Sequence, residues 1–324
     1  MSGSRDLRGG PSSVRQRRAG EPLAEAPIGV VPIVWNNADL ADHAPRIPAE
    51  QVLDEIARLG YAGTQLGIGF PAGSALAEAL ERRGLRLAEV YAALPCDSRG
   101  PASDALDVGR KRLADLHAAG GEILVVALDA TPERDAVTGR GASGPQLGGA
   151  DMARLAEVLE ALAAEAQAGG HRLAFHNHAG TWVETPEELE RLANATDPKL
   201  VELCLDVGHY VVGGGDPVEA VRRYGERVAH IHLKDVAPQP LSALRDGRLA
   251  GFSDALRDRI FAPLGSGVLD LPGILHALAA RRYRGWLMVE QDTSWEPPSE
   301  AAAIGRRVLD AALRWMATAA AEAA

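Results

Sequence analysis

Eight short apolar runs, each separated from the next by a longer amphipathic stretch, constrain this chain more than any other feature. They are 28–35 (IGVVPIVW), 61–67 (YAGTQLG), 85–92 (LRLAEVYA), 122–128 (EILVVAL), 171–178 (HRLAFHNH), 200–206 (LVELCLD), 227–235 (RVAHIHLKD) and 284–290 (RGWLMVE). Each run is short enough for a strand and rich in β-branched or aliphatic residues. The stretches between them repeat at helical spacing. Val52, Leu53, Ile56 and Leu59 fall on one stripe, with Pro48 near its start and Gly60 at its stop. Met152, Leu155, Leu159 and Leu162 form another stripe. Strands and helices that alternate without a linker predict one (β/α)8 barrel of the TIM type over residues 28–324. An open doubly wound sheet is the competitor, but no G-x-G-x-x-G follows the first run.

Composition narrows the function classes. A formal charge of −10 over 324 residues argues against a nucleic-acid surface and against binding to anionic membranes. No run of about 20 apolar residues is present, so no transmembrane helix is expected. Residues 1–27 read as a tail ahead of the barrel. The first twenty are rich in Gly, Ser and Arg, with no apolar period and no signal-peptide core, and are expected to be disordered. Cys96 and Cys204 are the only cysteines, which is no disulfide framework, and a reducing cytoplasm is the expected compartment.

Side-chain alternation in a strand has a period of two, so the aliphatic face of each run identifies the opposite face as the barrel lumen. In 201–206 the residues Val201, Leu203 and Leu205 point outward, which turns Glu202, Cys204 and Asp206 inward. Outward Ile231 and Leu233 leave His230, His232 and Lys234 inside. Outward Leu287 and Val289 leave Trp286, Met288 and Glu290 inside, and outward Leu173 and Phe175 leave His176 and His178 inside. Four consecutive strands thereby carry His, Asp, His and Glu to one rim. An unpaired carboxylate there would be costly, and one divalent cation explains the set more economically than four separate structural roles. Imidazole with carboxylate suits Mn²⁺ or Co²⁺, then Fe²⁺ or Zn²⁺, better than Mg²⁺ or Ca²⁺. A metal-free ion-pair network is the alternative. Cys204 lies deeper and is expected to pack. Two long connections, 129–149 and 236–260, would overhang the same mouth, where at least one is expected to act as a lid.

Several stretches carry a family resemblance over roughly two thirds of the chain. They are GVVPIVWNN, PAEQVLDEIARLGYAGTQLG, HNHAGTWVETPEELERLANATDP, LCLDVGHYVVGGGDPVEAVRRYGERVAHIHLKDV and FAPLGSGVLDLPGILHALAARRYRGWLMVEQD. With H-x-H-x-G-T, L-D-x-G-H, G-G-D-P and H-x-H-L-K-D-V combined, the chain resembles the xylose-isomerase-like barrels of the sugar isomerase/epimerase superfamily. Within it the chain is most similar to the inosose (2-keto-myo-inositol) dehydratases of inositol catabolism. The resemblance implies a metal held by His176, Asp206, His232 and Glu290, with Glu89 or water as fourth donor if His176 does not serve. It also implies that His209 and Lys234 contact substrate.

The expected chemistry starts with removal of a proton next to a carbonyl, the resulting enediolate being stabilised by the cation. His178 and Glu290 are the candidate bases, and Lys234 or His209 the candidate proton donor to a departing hydroxyl. Loss of that hydroxyl makes a dehydratase. Returning the proton makes an epimerase or isomerase acting on a keto sugar, including an oxidised glycoside. A non-catalytic sugar-binding barrel is the third reading. Trp35, Asn36 and Trp286 are candidates for a sugar-binding wall, Trp286 with a core role as its alternative. One metal would not take both histidines of the pair, since two residues rise roughly 6.5–7 Å along a strand. His176 is therefore expected to bind metal and His178 to bind substrate or move a proton. The expected partner is a small keto-polyol or keto-sugar, and self-association into a homo-oligomer stays open.

Overall fold

The computed structural model describes residues 23–40, 44–141 and 144–322. Eight parallel strands close into a barrel: β1 (Ile28–Val30), β2 (Gly63–Gln65), β3 (Arg86–Leu94), β4 (Ile123–Leu128), β5 (Arg172–His176), β6 (Val201–Asp206), β7 (Val228–Leu233) and β8 (Leu287–Val289). Each pairs with its neighbours in chain order, and β8 closes on β1 through Ile28–Leu287, Gly29–Met288 and Val30–Val289. The outer helices are α1 (Ala49–Arg58), α2 (Gly73–Glu81), α3 (Ala105–Ala118), α4 (Gly149–Ala168), α5 (Pro186–Ala195), α6 (Pro217–Tyr224), α7 (Leu271–Ala280) and α8 (Pro298–Glu322). Their starts follow local chemistry. Thr185 and Glu188 form a reciprocal capping box at α5, and Asp216 accepts from Val218 and Glu219 at α6.

Alternation along the strands divides the apolar residues into two layers. Leu124, Val126, Leu173, Phe175, Leu203, Leu205, Ile231, Leu233, Leu287 and Val289 join the large core between sheet and helices. Ile123, Val125, Ala174 and Cys204 pack together inside the barrel, with Val31, Ala88, Trp286 and Met288 as a neighbouring lumen cluster. Gly29 and Gly63 leave room for that second cluster, since a Cβ at either would collide with the Met288 or Trp286 side chain. This is the expected division of faces, and Cys204 packs as expected.

Three expectations change. The first run leaves the sheet after Val30 and turns as a 3-10 helix at Pro32–Val34, because Pro32 has no N–H to give to a ladder. The fifth strand ends at His176, two residues early. There Asn177 turns its side chain to the β6 backbone, and His178 N–H bonds to Val183 in the following loop. The packed chain also begins ahead of residue 28, since Leu23 and Ala26 are buried in the main core. The stretch 1–20, expected to be disordered, lies outside the described residues.

Both long connections carry helices among their described residues. Residues 129–149 contain the short helix Pro132–Asp135, whose buried Arg134 pairs with Glu188 at 2.9 Å and donates to Thr181 and Pro145 carbonyls. Residues 236–260 contain helices Pro238–Arg245 and Phe252–Arg257. Leu241, Leu244, Phe252, Ala255, Leu256 and Ile260 share a small core of their own with Leu40, Val212 and Val236. The two connections meet where Asp135 accepts from the Ser253 backbone and hydroxyl. Among the described residues no helix is long and apolar enough to cross a membrane.

Candidate metal centre

Strand ends place the site. His176 closes β5, Asp206 closes β6, His232 is the penultimate residue of β7, and Glu290 follows β8 by one. Each therefore reaches the C-terminal mouth from its own strand. One potential ligand atom from each of the four lies within 4.8 Å of the others. His176 Nε2 is 3.4 Å from Asp206 Oδ2, and His232 Nδ1 is 2.6 Å from Glu290 Oε2 and 3.7 Å from Asp206 Oδ2. Local structure aims the Asp206 carboxylate. Its Oδ1 accepts the His209 N–H at 2.7 Å, capping helix Val207–Val212, which leaves Oδ2 for the site. Asn177 clamps the same backbone from β5 through two 3.1 Å bonds to Asp206 N and O.

Asp206 Oδ2, Glu290 Oε2 and His232 Nδ1 are buried and make no hydrogen bond among the described residues. The short His232–Glu290 contact lacks hydrogen-bond geometry, so the two atoms converge on a common point instead of bonding each other. Two imidazoles and two carboxylates converge in a buried cluster, and these three orphaned atoms among them fit a divalent cation.

Beside the donors sits Lys234, 1% exposed. Its ammonium lies 2.7 Å from Asp292 Oδ1, 3.3 Å from Asp206 Oδ2, 3.3 Å from Glu290 Oε1 and 2.9 Å from His209 Nε2. Burial alone would lower its pKa, but the Asp206, Asp292 and Glu290 carboxylates outweigh burial and raise it well above the usual lysine value. His178 lines the pocket above His176, with ring centroids 5.7 Å apart. Its Nδ1 lies 2.7 Å from the Ala179 carbonyl, a contact in which only a donor is satisfied, so Nε2 keeps the lone pair. Burial, reinforced by His176 and Lys234, pulls this imidazole down to about 3, and it rests neutral.

Of the expected site residues, His176, Asp206, His232 and Glu290 converge, and His178 and Lys234 flank them. His209 is buried behind His178, ring centroids 3.8 Å apart, and is absent from the pocket wall. Its Nδ1 accepts from Ala179 N–H, so it braces the site where substrate contact was expected. Trp35 turns away from the pocket, its Nε1 donating to Glu55 at 2.7 Å on α1. Asn36 lines the pocket, but Ile47 and Ile68 backbone groups occupy its amide. Trp286 faces the lumen at the wrong end. It forms the floor, stacked 4.3 Å from Arg86 and donating to Glu122 at 3.0 Å. The two tryptophans leave the sugar wall for different reasons: Trp35 lies in a turn that carries no strand period, and for Trp286 alternation identifies the inner face but not depth along the lumen.

Asp39, Tyr91 and Asp292 were missed, and all three line the pocket. Asp292 extends the 286–288–290 alternation and Tyr91 lies two residues beyond Glu89, so both were readable from period two. Asp39 sits in the turn after β1, where no periodic signal exists.

A closed parallel barrel with convergent acid and imidazole groups at its C-terminal mouth defines an enzyme of the xylose isomerase-like type. The chain belongs to the xylose isomerase-like TIM barrel family, whose family model matches residues 53–316. It is 36% identical to the rhizopine catabolism protein MocC of Rhizobium meliloti over 89% of this chain and 88% of that protein. It is 32% identical to an inosose dehydratase of Clostridium botulinum (strain Alaska E43 / Type E3) over 87% of this chain and 95% of the relative. An L-ribulose 3-epimerase structure superposes with a TM-score of 0.70 at 18% identity, covering 92% of this chain and 98% of that one. At that identity the likeness concerns the fold.

Proposed function

We propose that the protein is a metal-dependent hydro-lyase of inosose dehydratase type, removing water from an uncharged keto-polyol. The observation that carries this is the placement of the His176–Asp206–His232–Glu290 donor set directly against two proton-handling groups, His178 and Lys234. Similarity to an inosose dehydratase over most of both chains supports the same reaction. Mn²⁺ or Co²⁺ is the proposed occupant, on the strength of the mixed nitrogen and carboxylate donors. A bound divalent cation supplies polarisation of the ketone and an adjacent hydroxyl, which acidifies the neighbouring C–H enough for a weak base.

The remaining work falls to side chains. His178 accepts the α-proton at Nε2, the nitrogen its bond to Ala179 leaves free. The C–H electron pair moves towards the carbonyl and then expels the β-hydroxyl. Lys234, held as ammonium by three carboxylates, gives that hydroxyl the proton with which it leaves as water. Glu290, the other candidate base, is committed to the donor set through Oε2 and to Lys234 through Oε1. Asp39 accepts from a polyol hydroxyl at the pocket wall. Both cysteines are free thiols, which supports the cytoplasm as the working compartment.

Incubating Mn²⁺- or Co²⁺-loaded protein with 2-keto-myo-inositol should produce the ultraviolet absorbance of a dione and release water. Epimerised keto sugar without dione would move the protein to the epimerase class instead.

A further inference from the structure

Glu89 enters the lumen from β3 and crosses to β7, on the opposite side of the barrel. Its Oε2 lies 3.0 Å from His232 Nε2 and 2.5 Å from His230 Nε2, and all three side chains are buried. His230 precedes His232 by two residues on the same strand, so its ring sits one lumen layer lower and crowds the same oxygen from beneath. The other nitrogen of His232, Nδ1, faces Glu290 and Asp206 in the donor set. A neutral imidazole carries one proton, and an ionised carboxylate can only accept. Carboxylates face both nitrogens, but only the Nε2–Glu89 contact has hydrogen-bond geometry, while Nδ1 bonds neither Glu290 nor Asp206. The proton therefore belongs on Nε2, against Glu89, and the lone pair on Nδ1.

The geometry points to Glu89 as a positioning residue for the metal centre: it fixes the tautomer and ring orientation of His232 so that Nδ1 is offered to the cation. The role rests on the proposed metal site and extends it by one layer. Two features set it apart from ordinary core packing. The carboxylate spans the barrel to hydrogen-bond His232 Nε2, whereas the nearer His230 Nε2 lacks hydrogen-bond geometry. It does so in a buried lumen, where a charge-assisted bond is strong and an unmade one is costly. A carboxylate behind a ligating imidazole also raises its basicity as a ligand, and losing such a partner weakens metal binding ~10–100-fold in comparable sites. The upper donor set thus does not need Glu89 as a ligand. It needs Glu89 to make His232 one.

The same cluster admits a rival reading that the test must separate. Ligand atoms of Glu89, Cys204, His230 and His232 also lie within 4.8 Å of one another, as a second, deeper cation site would require. Chelator competition with Zn²⁺ and Co²⁺ on purified full-length protein, with the Co²⁺ absorption spectrum as second readout, distinguishes them. The wild type should take one ion per chain, and Glu89→Gln should bind it ~10–100-fold more weakly with a shifted Co²⁺ spectrum. In a His232→Ala background, Glu89→Gln should cost nothing further, because its effect passes through that ring.

Wild-type affinity and spectrum in Glu89→Gln would overturn the assignment, as would an additive loss in the double variant. Two ions per chain, falling to one in Cys204→Ser, would make the cluster a ligand set and overturn it equally. Wild-type protein that takes neither ion sinks the metal site itself, a failure distinct from loss of the Glu89 role alone. Should Glu89→Gln not fold, ¹⁵N spectra of Zn²⁺-loaded wild type decide. A proton on His232 Nε2 with Nδ1 bound to zinc supports the role, and the reverse pattern refutes it.

Discussion

The two ends of the barrel lumen hold similar residue types in opposite states. At the floor, Arg86 pairs with Glu122 at 3.1 Å and Arg172 with Glu202 at 2.7 Å, and each arginine is at least half exposed. Arg284 and Glu25 form a third such pair at 2.9 Å. At the mouth, Lys234 is held among three carboxylates with almost no exposure, and donor atoms of Asp206, His232 and Glu290 are left without hydrogen bonds among the described residues. Floor charges are hydrated and satisfied within the chain, and such pairs contribute little. Charges at the mouth are dry and incompletely satisfied, a costly state that persists where a ligand completes it. A charged residue in this barrel therefore reads as functional through its desolvation and unmet bonds. Its type alone says little.

The sharpest way to break this contrast is to alter one carboxylate at each end. Asp206→Ala should abolish metal binding and turnover together, read as metal content by elemental analysis alongside the dione assay. Glu202→Ala, four residues earlier on the same face of the strand, should keep both and cost at most about 1 kcal/mol in a denaturant titration. Equal metal content in Asp206→Ala and wild type would remove the basis for calling the mouth a metal centre.

Lys234→Met probes the buried cation. It should lower turnover by ~10²–10⁴-fold. It should also destabilise the fold by about 3–5 kcal/mol, because Asp206 and Asp292 lose their counter-charge. A small change in both would mean that the cluster is solvated, contrary to its geometry.

Within the histidine pair, His178→Gln should reduce turnover by ~10²-fold or more while metal content holds, whereas His176→Gln should lose metal first. Reversed phenotypes would show that the roles are exchanged. Asp39→Asn should raise KM about tenfold or more with kcat nearly unchanged, as expected for one lost charge-assisted bond to a hydroxyl. Trp286→Phe carries the smallest expected effect. It should cost about 1 kcal/mol for the lost bond to Glu122 and leave kcat/KM alone. A large loss of activity there would bring Trp286 back to the substrate wall.

Which features were legible beforehand follows from what each signal measures. Alternating apolar runs and helical stripes are local, so the eight β/α units and the inward faces of β5 to β8 could be read directly, and with them His176, Asp206, His232 and Glu290. Period two says which face a side chain takes but nothing of height. Trp286 therefore went to the mouth, although Gly29 and Gly63 make its space at the floor. The turn after Pro32 carries no period at all, so Trp35's turn towards Glu55, 20 residues away, is not readable, whereas Asn36 does line the pocket, with Ile47, 11 residues away, holding its amide. His209 was placed against substrate because its neighbour Asp206 belongs to the site, but helix Val207–Val212 turns it behind His178.

By itself, the sequence determined the barrel, the lumen faces of four strands and the chemistry their ends can perform, because each of these is written in spacing of a few residues. Only the tertiary structure decided which nitrogen of His232 faces the donors, that Lys234 lies among three carboxylates, and that Glu89 reaches across to His232 from a strand 143 residues away in sequence. Those choices depend on ring orientation, depth and closure of the sheet, and no local period in the chain encodes them.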